Sequence, residues 1–145
     1  MRKSLSIVLF TVSALWWTST YAQPSRTGER ALRYDCSGMP PGINECLAAH
    51  VRDSTTELRE ARRFAIRRLE AWDEDERYRR LAISRLRTAD AAFEKYRTAH
   101  CEFAASMGGG AIGHALDTRR LACVADLNHR HAELVRGLVD DRPPR

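Results

Sequence analysis

The chain has 145 residues, which suits one domain, and carries 24 lysines and arginines against 19 aspartates and glutamates, a formal charge of +5. Its arginines alternate with acidic residues and form no basic stripe with exposed aromatics, so the composition argues against a nucleic-acid partner. It has no Cys-x-x-Cys pair and no glycine-rich phosphate loop ending in Lys-Ser or Lys-Thr, and its histidines do not cluster with carboxylates; no metal site, cofactor site or catalytic set is expected.

Residues 1–22 read as a secretory signal. Arg2 and Lys3 form a positive start, Leu5 to Trp17 a short apolar core, and Thr20-Tyr21-Ala22 the small residues before a cut ahead of Gln23. The apolar run falls short of the ~20 residues of a spanning helix. No second apolar segment follows, so the mature chain is expected to have no integral membrane segment and to be periplasmic or secreted. Without Arg2 and Lys3 that mature chain has 22 basic and 19 acidic residues, a net of +3. In an oxidising compartment, Cys36, Cys46, Cys101 and Cys123 are expected to form two disulfides.

Residues 23–35 are polar and aperiodic and read as a flexible leader. Ser37 to Gly42 is a turn cluster. A first long helix is expected from Ile43 to about Trp72, with Leu47, Val51, Ser54, Leu58, Ala61, Ala65, Leu69 and Trp72 on one stripe and arginines opposite. Asp73-Glu74-Asp75-Glu76 then marks a helix-helix turn. Asp73 and Glu76 have capping-box spacing, and Asp73, Asp75 and Glu76 each have an arginine four residues on. Asp73, Glu74 and Asp75 are also the candidate contact for a cationic protein partner.

The second helix is expected from about Glu74 to Ala105. Leu86, Ala89, Asp90, Phe93, Arg97 and Cys101 recur on one face of it, a mixture of apolar and charged groups. Asp90 is a candidate partner for Arg97. Gly108-Gly109-Gly110 breaks this helix. A third helix runs from Ile112 or Gly113 to about Val139, its buried stripe read as Leu116, Cys123, Leu127, Leu134 and Leu138. His129 and His131, two apart, point to different sides of it. His100 reads as a packing residue, and Glu94 and Glu102 as solvated. Residues 140–145 read as a disordered tail. The expected fold is all-α, an antiparallel three-helix bundle of two long helices and one shorter, with the helical domain over 36–139.

Height along the bundle suggests a disulfide pairing. If the hairpin turn lies near residue 73, Cys46 stands level with residue 100, beside Cys101, which leaves Cys36 to reach Cys123. Helix rotation is not fixed by height, so Cys36–Cys101 with Cys46–Cys123 stays open.

Leu86-Arg87, an aromatic at Phe93, Tyr96-Arg97 and the run Cys101-Glu102-Phe103-Ala104-Ala105-Ser106 resemble the signature of the lysozyme inhibitor LprI-like family, small secreted or envelope proteins of bacteria. Cys36, Ile43-Asn44-Glu45-Cys46, the Gly108–Gly110 loop, Cys123 and Arg130 to Leu134 extend the likeness over roughly Cys36 to Leu138. The chain departs from the family pattern at Phe93, where Trp is usual, at Asp90, where Gln is usual, and on the first helix, where the usual Asp, Leu-Asn pair and Tyr stand as Thr55, Leu58-Arg59 and Arg62. The resemblance implies a non-enzymatic protein that binds a protein partner, lysozyme; the residues alone imply a stapled helical binding module, and the alternative to inhibition is an envelope interaction module with no lysozyme activity. Leu86, Arg87, Phe93, Tyr96 and Arg97 are then read as residues that fix the scaffold.

Overall fold

The computed structural model describes residues 28–40, 42–110 and 114–140. The signal segment, most of the leader and the tail beyond Asp140 lie outside the described residues. The described chain is all helical, with no strand: α1 (Glu29–Cys36), α2 (Ile43–Glu70), α3 (Glu76–Ser106) and α4 (His114–Asp140).

The three-helix expectation is therefore corrected to four, because residues 29–35 of the supposed leader, with Cys36, form α1. Eight residues do not hold a helix alone in water. Here Ala31 and Cys36 are buried, Leu32 packs beside Leu47 and Ala122, Glu29 pairs with Arg33 one turn on, and Cys36 is bonded to Cys46 at the start of α2. Its apolar residues do fall on one side, but eight residues are too short a run to mark a helix in the sequence; its partners supply the order.

The second disulfide joins Cys101 of α3 to Cys123 of α4. Both pairings considered from the sequence are thus corrected: Cys46 does not meet Cys101, and Cys36 does not meet Cys123. Each bridge is local, closing separations of 10 and 22 residues. The height argument failed because α2 and α3 are not the closely packed pair. α4 is the central helix and packs on α1, α2 and α3 alike.

Side-chain contacts fix the directions. Asn44 meets Thr118, Ser54 meets Asn128 and Glu57 meets His129, a nearly constant offset that makes α2 and α4 parallel. Cys101 with Cys123, Arg97 with Asn128 and Phe93 with His131 run the other way, so α3 is antiparallel to α4. Between α2 and α4 the core is built on small residues: Leu58, Ala61 and Ala65 against Ala132, Val135 and Val139, with Phe64, Leu86 and Phe93 at its edge. The α2 stripe read from sequence is the buried one. The α4 stripe is corrected, for Leu134 and Leu138 are 58% and 69% exposed while Ala132, Val135 and Val139 are buried. Adjacent residues stand about 100° apart around a helix, and close approach of α2 selected the alanine-valine row over the leucine row.

α3 starts at Glu76, not Glu74, with Asp75 as its N-cap; the Asp75 side chain accepts from the Arg77 N–H at 2.7 Å. The capping role assigned to Asp73 is corrected accordingly. Of the three ion pairs expected at this turn, Glu76–Arg80 forms. After α3 the chain turns at Gly108, where a Cβ would meet Leu116 at 2.6 Å, and at Gly109, whose φ of +61° suits glycine.

Candidate protein-interaction surfaces

Where α2, α3 and α4 come together, the signature block on α3 divides by direction. Leu86, Phe93 and Arg97 turn inward. The Phe93 ring stacks on His131 with centroids 3.8 Å apart and touches both the α2–α4 core and the Cys101–Cys123–Leu127 cluster. Arg97 Nη1 donates to Asn128 Oδ1 at 2.6 Å, and the Asn128 amide reaches Thr55 Oγ1 at 3.2 Å and Ser54 Oγ at 3.4 Å. Asn128 is fully buried, so these partners meet hydrogen-bonding needs that would otherwise be costly. The expected Arg97–Asp90 pairing is not made. Asp90 lies two turns away, 3.1 Å from Arg62 Nε of α2 and 3.4 Å from His131 Nε2. Arg62 Nη1 also donates to Glu94 at 3.0 Å, so Glu94, like Glu102 with Arg120, holds an ion pair in addition to its solvent exposure. Arg87 and Tyr96 face outward; the Tyr96 hydroxyl lies 3.4 Å from His100 Nδ1.

The acidic turn forms one end of the molecule. Asp73, Asp75 and Glu76 are exposed and Glu74 is half-buried. Arg79 folds back to donate to the Glu70 carbonyl at 3.2 Å, and Arg77 donates to the Tyr78 hydroxyl at 2.8 Å. Asp73 is exposed ahead of this arginine-rich first turn, whereas the Asp75 carboxylate is turned onto the Arg77 N–H and Glu74 Oε1 accepts from the Asp75 N–H at 3.3 Å.

A third surface was not singled out in the sequence. A groove of about 380 Å³ lies between α1, α2 and α4, walled by Leu32, His50, Asp53, Glu57, Asp126 and His129. The signal was present: His50, Asp53 and Glu57 recur at helical spacing beside the buried stripe, but such a row is read as a solvated flank until α1 closes it. Asp126 is buried and paired with Arg130. Glu57 lies 2.9 Å from His129 Nδ1 and accepts from Arg136 Nη1 at 2.8 Å. The hydrogen bond to Glu57 raises the His129 pKa above its ordinary 6.5 against partial burial, with the charges of Glu57, Glu133 and Asp126 adding to it. Burial pushes the Glu57 carboxyl up, but hydrogen bonds and charge from His129 and Arg136 outweigh it, so it sits below its ordinary 4.5.

The signs give a window. His129, raised on folding, stabilises fully below 6.5, and that contribution is lost as pH rises through its folded value; Glu57, lowered, stabilises above 4.5 and loses that contribution as pH falls through its own folded value. Solvent screening keeps the effect small at this half-exposed pair. Melting temperatures of the protein and of His129→Gln are expected to differ most between these two ordinary values and to converge as pH rises through the folded value of His129. A difference that grows with rising pH contradicts the pairing.

Among the described residues, two clusters gather metal-ligand types, Cys36–Cys46–His50 and Glu29–His100–Cys123. Their sulfurs are held in disulfides, which removes the thiolate a metal would take. No described helix is long and apolar enough to cross a membrane. Comparison with known proteins gives one family: the family model described as lysozyme inhibitor LprI matches residues 36–134, from the first cysteine to the last turns of α4. No curated protein matches, and no solved structure matches.

Proposed function

The chain belongs to the LprI lysozyme-inhibitor family, and from that premise we propose that it acts outside the cytoplasm as a non-catalytic inhibitor, binding a lysozyme-type muramidase and blocking its cleft. The family match over residues 36–134, which hold all four cysteines, is the observation that carries this reading. Both disulfides agree with an oxidising compartment. An inhibitor needs a rigid surface, so that little freedom is lost on binding; three helices tied by Asn128 and by the Cys101–Cys123 bridge supply one.

The contact is assigned to the acidic turn. Common lysozymes are cationic, and a net positive inhibitor gains no overall steering toward them. A local anionic projection is therefore needed, and Asp73, Glu74 and Asp75 stand at the tip between α2 and α3. Changing all three to alanine is expected to weaken inhibition about tenfold, the sum of three screened charges, and added salt is expected to weaken the unmodified protein similarly. Loss of the Asp75 cap costs about 1 kcal/mol of stability, so circular dichroism should show an unchanged helix content. Turbidity of peptidoglycan suspensions under lysozyme, with and without the oxidised protein, is the measurement. Undiminished lysis at large molar excess, with both animal-type and bacterial-type enzymes, removes the inhibitor reading and leaves an envelope interaction module. Inhibition that survives the triple substitution moves the contact elsewhere on the bundle.

A further inference from the structure

α3 has 31 residues, but only Cys101 and Ala105 are buried. A helix is held in water mainly by the packing of its apolar face, and this one has a second face that its neighbours leave open. Tyr78, Arg85, Ala92 and Ala99 recur every seven residues, as do Ala82, Ala89, Tyr96 and Phe103, four residues on from the first set. The two rows form the a and d seam of a coiled coil, sustained over nearly four heptads and about 38 Å. Every member but the half-buried Ala82 is exposed: Tyr78 45%, Tyr96 53% and Phe103 62%, with Leu81 at 44% and Met107 at 62% alongside.

The seam is self-complementary. Laid antiparallel on a copy of itself, it sets Tyr78 against Phe103, Ala82 against Ala99, Arg85 against Tyr96 and Ala89 against Ala92, the same four pairs recurring by symmetry. Those are an aromatic pair, two pairs of small residues that allow close approach, and a guanidinium on an aromatic ring. The charges select the direction. Residues 76–88 hold five arginines and one glutamate, whereas residues 89–106 hold three carboxylates and two bases. The three carboxylates are already answered by Arg62 and Arg120 of the same molecule, so what selects the direction is repulsion: parallel packing sets the arginine-rich halves against each other, and antiparallel packing keeps them at opposite ends. Shape agrees as well. Beside Tyr78, a groove of about 370 Å³ walled by Trp72, Leu81, Ala82 and Arg85 opens at the place where Phe103 of a second copy comes to lie.

We propose that this outer face of α3 is the interface of a symmetric homodimer, two α3 helices packed antiparallel about an axis between Asp90 and Ala91. The residue types at those four pairs, aromatic on aromatic, alanine on alanine twice and guanidinium on aromatic, argue for a second copy as the occupant.

Sedimentation equilibrium of the oxidised protein is expected to give twice the chain mass, falling toward the monomer on dilution. Ala89→Glu and Ala92→Arg each put like charges near the axis and are expected to give monomers of unchanged helix content. An equimolar mixture of these two variants is expected to recover the dimer mass, because only the antiparallel register sets the introduced carboxylate opposite the introduced guanidinium. Leu134→Glu, at an exposed position of the central α4, should leave the dimer intact. A protein that remains monomeric at the highest attainable concentration overturns the proposal, as does a dimer indifferent to both α3 substitutions or a mixture that stays monomeric. Monomeric wild type whose lysozyme binding is lost in Ala89→Glu also overturns it, and gives the face to the enzyme.

Discussion

Replacing Cys101 and Cys123 together by alanine is expected to lower the stability of the protein by roughly 3 kcal/mol, the chain-entropy value for a crosslink of this span. The bridge closes a separation of 22 residues and fastens the otherwise thinly buried α3 to the central α4. Both cysteines are buried in the cluster with Leu127, so the substitution also removes packing. The whole urea transition should move to lower concentration. The Cys36–Cys46 bridge makes a useful contrast. It closes only 10 residues and holds an eight-residue helix to the start of α2. Its removal should chiefly release α1, seen as faster hydrogen exchange over residues 29–36. If instead the Cys101–Cys123 pair can be removed with no shift of the transition, α3 is held by packing alone and the staple has been misjudged.

Phe93→Ala is expected to cost about 3 kcal/mol, the low end for a phenylalanine truncation because the ring is half-buried. The ring is a common wall of two apolar clusters and lies flat on His131. Its loss should loosen the α3–α4 contact next to Asn128. A double-mutant cycle with His131→Ala isolates the stack, for which a coupling of ~0.5–1.5 kcal/mol is expected. No coupling between the two residues would mean that the rings adjoin without adding to the burial. Lysozyme inhibition at the tip should fall only as far as the fraction of folded protein falls, since Phe93 lies five turns along α3 from the acidic turn.

The resemblance carried by Leu86, Phe93, Tyr96, Arg97 and the four cysteines was legible in the chain, and the family match covers the same ground. Helix boundaries were also legible where strong local chemistry marks them. α2 begins after the proline-glycine turn at Ile43, and α3 ends at the glycine loop. Asp75 was less so: Asp73 and Asp75 both have the chemistry of a cap, and which one caps depends on where the turn after α2 sets the chain. The proposed contact at Asp73, Glu74 and Asp75 rests on their place at that turn, where Asp73 and Asp75 are exposed and Glu74 is half-buried. The groove at His129 was hidden for another reason, since its far wall is α1.

By itself the sequence determined that this is an all-helical, cysteine-paired protein of the inhibitor family, because helical periodicity, breakers and residue identity are local properties. Only the tertiary structure decided that α4 is the centre, that Cys36 bonds to Cys46 and Cys101 to Cys123, that Arg97 answers Asn128 and not Asp90, and that alanines and valines displace Leu134 and Leu138 from the core. Periodicity gives each helix its apolar faces without saying which helix each face will meet. That choice is made by close packing between elements distant in sequence, and it depends on side-chain volumes on both helices at once.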